Sequence, residues 1–454
     1  MNALITTAVF GIVLMFVGLF VKQRQYIKYF AIAGTVLAFI ANLMDAQCGF
    51  GMLHGMVEVS SFSVLFNAVA IASTALYFLL CGSAFEKVGE DVADYFALIF
   101  FILSGIMITG SYSNLLMLFL AIEIISIPQY ILAGADKKNL KSNEASLKYF
   151  LMGSFTTGML LMGIALVYGA TGTFDIREMG LGTGELSPLA LCGITLLGFS
   201  LAFKVSAAPF HFWTPDVYDG SPTVFTAFMA TIVKAASFIA FMRLFHVSFS
   251  GGNVSGHWQL ILAIITASTL IIGNLTAVFQ QSVKRMLAYS SIAQAGFMLF
   301  AIVAHNEMAS QGLILYAAAY SVATIGIFAI LLKLNDYTFD GFNGLARRQP
   351  LVALMCTIFL LSLAGIPLTA GFFAKYFVLS AAIQQGNLLW LVIVGVLCAA
   401  VSAYYYFRVI IAMYFKQGEA DATEVTPGFK AMLVIAAAIV IVLGIFPNLL
   451  LQYL

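Results

Sequence analysis

Five ionisable side chains stand inside stretches that otherwise belong in oil. They are Glu123 in "LFLAIEIISIPQYIL", Lys148 in "EASLKYFLMGSF", Lys204 in "GFSLAFKVSAAPFHFWTPD", Lys234 in "FMATIVKAASFIAF" and Lys375 in "AGFFAKYFVLSAA". An ionised group at the centre of a bilayer costs about 2.5 to 3.5 kcal/mol on insertion scales. Five uncompensated ones would cost on the order of 12 to 17 kcal/mol, more than the net stability of a typical fold. They must therefore be paired, hydrated or neutral for much of the time. Burial and a nearby carboxylate pull on a lysine's proton in opposite directions, so moving one neighbouring charge switches such a lysine between loaded and empty. A swing of about three pKa units is about 4 kcal/mol, and a proton crossing roughly 180 mV needs a similar amount. One such switch has the right size for proton transport. Lys148, about one turn inside its span, and Lys333, at the end of its own, can instead snorkel to the interface; Glu123, Lys204, Lys234 and Lys375 lie too deep.

The elements that must hold these charges are transmembrane helices. The chain has 454 residues, 62% hydrophobic and 9% charged, with a mean hydropathy of +1.01, which excludes an ordinary soluble domain. About 20 apolar residues span the hydrocarbon core. Such windows occur near 3–21, 29–45, 62–82, 94–110, 112–134, 146–170, 188–210, 223–246, 258–279, 285–304, 310–333, 350–382, 388–415 and 429–452. The expectation is an all-α polytopic membrane protein of about fourteen spans. In an alternating arrangement Lys22, Arg24, Lys28, Lys87, Lys137, Lys138, Lys141, Lys284, Arg285, Arg347, Arg348, Lys416 and Lys430 fall in loops on one side, against essentially Arg177 on the other. The excess of basic residues marks the inner side and puts both termini outside.

Two windows are too long and too interrupted for plain helices. "FKVSAAPFHFWTPD" and "LAGIPLTAGFFAKYF" each combine proline, small residues and one lysine. Paired broken spans in corresponding halves point to inverted repeats with sites near the midplane, and unwound backbone there must be buried in protein or line a wet cavity. The division expected is 1–92 as an N-terminal three-helix segment, 93–247 and 256–416 as two five-helix repeats, and 428–454 as a last helix. Glu123 and Lys148 are on adjacent spans, where a carboxylate and an ammonium can neutralise each other, and the set reads as a hydrophilic line along the midplane.

Other chemistries find no support. Cys48, Cys81, Cys192, Cys356 and Cys398 are scattered, with no CxxC and no histidine at ligand spacing, which argues against metal, iron–sulfur or disulfide sites and leaves them as small core residues. There is no dinucleotide fingerprint, P-loop, nucleophile with its base or nucleic-acid patch, and the first apolar run, without a basic n-region or cleavage pattern, is expected to be a first transmembrane helix rather than a removable signal peptide. His54, His246, His257 and His305 read as interfacial. His211, just past the break that holds Lys204, is a secondary candidate for passing protons to the basic side.

These stretches, together with "GNLTAVFQQSVKRMLAYSSIAQAGF", resemble the antiporter-like membrane subunits of respiratory complex I over most of residues 110–410. The segment from Phe203 to Pro222 is the most specific. The resemblance implies fourteen spans with two inverted five-helix repeats. It implies Glu123 as the charge partner tuning Lys204, Lys204 as the proton-loading lysine, Lys148 and Lys234 as relays, and Lys375 as the exit-side lysine. Lys375, where a sister branch has Glu, favours the subunit N branch. Where the family often has His in "SSIAQAG", this chain has Gln294, which can order water but cannot hold a proton. NADH, FMN, iron–sulfur clusters and quinone would be bound by partner subunits and no cofactor by this chain. Its partners would be sister antiporter-like subunits and the bilayer of a bacterial inner membrane. A multisubunit cation/proton antiporter of Mrp type and a proton-inert structural subunit remain as alternative readings.

Overall fold

In a computed structural model the described residues are 1–21, 23–47, 51–179, 187–249, 252–418, 420, 423 and 425–454. Lys22 and Cys48 lie outside them, as does the side chain of His257. The first half comprises α1 (Asn2–Phe20), α2 (Arg24–Gln47), α3 (Ser61–Cys81), α4 (Val92–Thr109), α5 (Leu115–Ala133), α6 (Leu140–Thr171), α7 (Pro188–Lys204), α8 (Trp213–Gly220), α9 (Thr223–Phe228) and α10 (Lys234–Ser248). The second comprises α11 (Gly252–Val278), α12 (Val283–Ala304), α13 (Glu307–Leu331), α14 (Leu345–Arg348), α15 (Pro350–Ala364), α16 (Ala370–Gln384), α17 (Leu389–Phe415), α18 (Pro427–Ile445) and α19 (Asn448–Leu451). Twelve helical stretches among the described residues are long and apolar enough to cross a membrane; α7, α15 and α16 are shorter apolar helices.

The expected interruptions fall where proline and glycine put them. The window near 188–210 stops being helical at Lys204 and resumes at Trp213, while the window near 350–382 divides into α15 and α16. Gly365 ends α15 in the left-handed region, φ +85°, a conformation that costs other residues strain. At Gly371 an added Cβ would overlap the Ser362 carbonyl, so α16 meets the end of α15 only because that residue is glycine.

The centre is formed by α9–α10, α12 and α13, wrapped by protein along their spans. The helices around them expose large apolar side chains such as Phe16 on α1, Phe155 on α6 and Leu397 on α17, as helices facing lipid do. Residues 51–59, expected as part of a loop, form a short hairpin. Strands β1 (Gly51–Leu53) and β2 (Val57–Val59) pair antiparallel and dock on the connection between α4 and α5, with Glu58 N–H donating to the Ser111 carbonyl at 2.6 Å. Glu58 accepts hydrogen bonds from Arg177 and Arg243. Burial alone would raise its carboxyl, but these bonds outweigh burial and hold it below the ordinary carboxylate value.

Two sequence expectations change here. Of the basic residues expected in loops, Arg24 and Lys28 lie in α2, Lys141 in α6, Lys284 and Arg285 in the first turn of α12, Arg347 and Arg348 in α14 and Lys430 in α18, and Lys284 is buried. Of the cysteines, Cys81, Cys356 and Cys398 are buried as expected, whereas Cys192 is exposed on α7.

Candidate proton-transfer site

At the first break, the backbone that leaves the helix is satisfied mainly by protein. Ala207 N–H donates to the Ala202 carbonyl at 2.8 Å, and Ala208 N–H donates to Thr269 Oγ1 of α11 at 2.8 Å. The second half of the chain thus closes the break in the first, as a break at membrane depth requires. Lys204, the last residue of α7, is partly buried and donates from Nζ to Ser126 Oγ at 2.8 Å. Ser126 lies three residues after Glu123 on α5, on the same helix face. Glu123 is within electrostatic reach of Lys204, yet its Oε1 is buried without a hydrogen-bond partner. Pro128, inside α5, cannot donate to the Ile124 carbonyl, so α5 is loosened beside Glu123.

Lys148 corrects the sequence expectation. It bonds Glu144 at 2.7 Å and Asp216 of α8 at 2.9 Å, not Glu123, and its side chain is 40% exposed. The reason is helical phase and depth: Lys148 is two turns into α6 and one turn from Glu144, near the basic end rather than on a midplane line. It lines a cavity of 230 Å³ with Lys141, Glu144, Asp216, Asp219 and Arg285. An adjoining cavity of 460 Å³ shares Lys141, Asp219 and Gly220 and adds Lys284 and Tyr337.

Towards the second half the polar groups connect more closely. A π-helical turn, Met229–Val233, immediately precedes Lys234; such turns rotate side chains out of the regular helical phase. Lys234 Nζ donates to the carbonyl and to Oγ of Ser291 on α12, at 3.1 and 2.9 Å, and stands 5.5 Å from the centre of the Tyr218 ring. One turn along α12, Gln294 Nε2 donates to the Leu363 carbonyl at 2.9 Å and to Tyr406 OH at 3.0 Å, while Gln294 Oε1 accepts from Tyr316 OH. Tyr406 also shares a 2.5 Å hydrogen bond with Ser290.

Lys375 Nζ donates to the carbonyls of Leu363 and Ala364, both at 2.9 Å, and lies 4.6 Å from the centre of the Phe297 ring. Those are end carbonyls of α15, left without helical partners, where a cation also meets the negative end of the helix dipole. Gln294 and Lys375 therefore converge on one carbonyl oxygen. Beside them, Tyr316, Tyr320 and Ser362 line a small void of 10 Å³, about the volume that seats one water molecule.

His211 is partly buried just beyond the first break, with Nδ1 lacking a hydrogen-bond partner. His246 and His305 pack edge to face, 4.4 Å between ring centres, at the ends of α10 and α12. Among the described residues no cluster of three or more His, Cys, Asp or Glu could hold a metal ion.

Sequence reading missed the hydroxyl hydrogen-bond partners Ser126, Ser291, Tyr316 and Tyr406, and the basic-end cluster of Asp216, Lys284 and Arg285. Ser126 was detectable from its helical spacing to Glu123, and Asp216 from its place just after Pro215. The tyrosines carried no such signal, because an apolar run with many aromatics reads as packing.

The family described as NADH:quinone oxidoreductase/Mrp antiporter, TM, matches residues 112–402. NADH-quinone oxidoreductase subunit N of Cytophaga hutchinsonii is 41% identical, covering 100% of this chain and 99% of that protein. In the structure of respiratory complex I from Thermus thermophilus with bound aureothin, one chain superposes with a TM-score of 0.86 at 33% identity, over 99% of this chain and 98% of that one. A chain of the Mrp complex from Dietzia sp. DQ12-45-1b superposes with a TM-score of 0.87 at 20% identity, over 100% of this chain and 95% of that one, a likeness of fold alone. The chain belongs to the NADH:quinone oxidoreductase/Mrp antiporter transmembrane family and, within it, to the NADH-quinone oxidoreductase subunit N proteins.

Proposed function

We propose that this chain is a proton-translocating membrane-arm subunit of a bacterial NADH:quinone oxidoreductase. NADH, flavin, iron–sulfur and quinone chemistry would belong to partner subunits, sister antiporter-like chains among them, in the inner membrane. The observation that carries the reading is the run of hydrogen-bonding groups from Lys234 through Ser291 on α12 to the Gln294, Leu363 and Lys375 cluster, with Lys204 at the preceding break. Each lysine sits against groups that can pass or order a proton, and each break gives backbone that can move. In this reading α7–α8 and α15–α16 each form one interrupted span. With the twelve long helices they make fourteen, arranged as inverted repeats over 93–247 and 256–416, flanked by 1–92 and 428–454, with both termini outside.

Lys204 is the loading group. When Glu123 is ionised and near, the ammonium is favoured; when that carboxylate is drawn away, burial favours release. Lys234 and Gln294 lie on the route to Lys375, where the amide orders water and does not carry charge. Lys148 serves the basic mouth rather than the midplane. The Mrp-type likeness at 20% identity bears on fold alone, whereas full-length identity of 41% is to subunit N.

The test is proton pumping per NADH oxidised in vesicles carrying the assembled complex with Lys204→Ala. A loss of pumping with flavin and iron–sulfur subunits still co-purifying supports the assignment. Unimpaired pumping with normal assembly overturns it, and sodium-dependent transport by a small complex would favour the Mrp-type reading.

A further inference from the structure

The short helix α8, which follows the break at Lys204, is gripped at three points. At its start Trp213 donates from Nε1 to the Phe203 carbonyl, next to Lys204, at 3.2 Å, and stacks on Tyr149 at 4.7 Å. In its middle Asp216 is shared: Oδ2 accepts from Lys148 of α6 and Oδ1 accepts from Arg285 of α12 at 3.1 Å. At its end Lys284 of α12 donates to the Asp219 and Ser221 carbonyls at 2.8 and 2.7 Å.

Two consecutive cations of the second half are therefore aimed at one helix of the first. Lys284 is only 4% exposed, and these carbonyls at the negative end of α8 are its hydrogen-bond partners. Gly220 lets that end press on α6, since an added Cβ would come within 2.7 Å of the Lys141 carbonyl. Lys284 and Ser291 are seven residues apart on α12, two turns along one face, so the helix that receives Lys234 is also the helix that grips α8. Eight residues of helix make a rod about 12 Å long, and displacement at its charged end reaches Trp213.

We propose that Lys284 and Arg285 are positioning residues. With Asp216 they tether α8 to the second half and so set the access of water and protons to Lys204. The role assigned to Lys204 rests on the proton-translocation reading; the tether does not. It is tested in the assembled complex with Ser206→Cys, a buried position inside the break, labelled by a water-soluble maleimide against the same complex without that cysteine. Lys284→Met or Arg285→Gln is expected to raise labelling at position 206 several-fold and to lower protons pumped per NADH, with Arg285→Lys close to the parent in both. Unchanged labelling in both Lys284→Met and Arg285→Gln overturns the tether. Should neither variant assemble, the otherwise unmodified Ser206→Cys complex decides: salt screens the half-exposed Arg285–Asp216 pair, so labelling rises with ionic strength if the tether holds and stays flat if it does not. Altered labelling together with normal pumping in Lys204→Ala would overturn the proton role of Lys204 and leave the tether standing.

Discussion

The two broken helices hold their lysines in opposite ways. Lys204 ends the first segment of its break and is bonded to a hydroxyl on a neighbouring helix, with Glu123 one turn from that hydroxyl. Lys375 sits in the second segment of its break and reaches back to two carbonyls at the end of the first. A hydroxyl can rotate and a carboxylate can change partner, so Lys204 is adjustable by charge. End carbonyls are fixed to their helix, so Lys375 is released only when α15 and α16 part or water enters between them. Under the proposed function, the first half would work as an electrostatic switch and the second as a mechanical one.

The largest effect expected is at the switch. Lys204→Ala should cut protons pumped per NADH by roughly tenfold or more, as losing a positioned proton carrier does, and Glu123→Gln should do nearly the same while leaving assembly intact. If Glu123→Gln pumps normally, the first half is not set by that carboxylate. Second in size, Lys375→Met should lower pumping several-fold, whereas Lys375→Arg should assemble but recover little, because a guanidinium does not release its proton. Full recovery by arginine would make Lys375 an anchor for α15 and not a carrier. Third, Gly365→Ala should cost about 1 to 2 kcal/mol through its left-handed backbone, read as a lower melting temperature of the purified complex. Its Cβ would also stand 2.9 Å from Lys375 Cδ, so pumping should fall with it. An equal loss of stability with unchanged pumping would separate the break from the proton path.

Much of this was legible in the residues. Hydropathy windows located every long helix, with ends up to seven residues off, as at the C-terminus of α18, because a membrane span is a one-dimensional requirement of length and composition. Proline and glycine located both breaks. What the sequence could not supply was which polar groups meet. Lys148 looked like a partner for Glu123 because their spans are adjacent, but α6 turns it towards Asp216 and the basic mouth. Lys284 and Arg285 looked like loop charges, since a basic pair between two spans is the ordinary inner-side marker; only packing shows them gripping α8. Tyr316 and Tyr406 are indistinguishable in sequence from core aromatics until Gln294 is seen between them.

The smallest effect should come from a charge cluster outside both breaks, and it limits how far the comparison extends. Glu58 on the β-hairpin ties Arg177 to Arg243, and Arg243 lies on the same helix as Lys234. If only the groups at the breaks move protons, Glu58→Gln leaves protons per NADH unchanged and lowers the melting temperature slightly. The pH dependence follows from the depressed carboxyl. A group held below its unfolded pKa, about 4.3 for glutamate, contributes its full stability above that value and loses it as pH falls through the lower folded one. The gap in melting temperature between the parent and Glu58→Gln should therefore be constant from neutral pH down to the ordinary carboxylate range and close below it. A pumping loss as large as that of Lys204→Ala would show that α10 transmits from its C-terminal end to Lys234. The electrostatic switch would then extend beyond the first break, to an ion pair at the far end of the helix that joins the two halves.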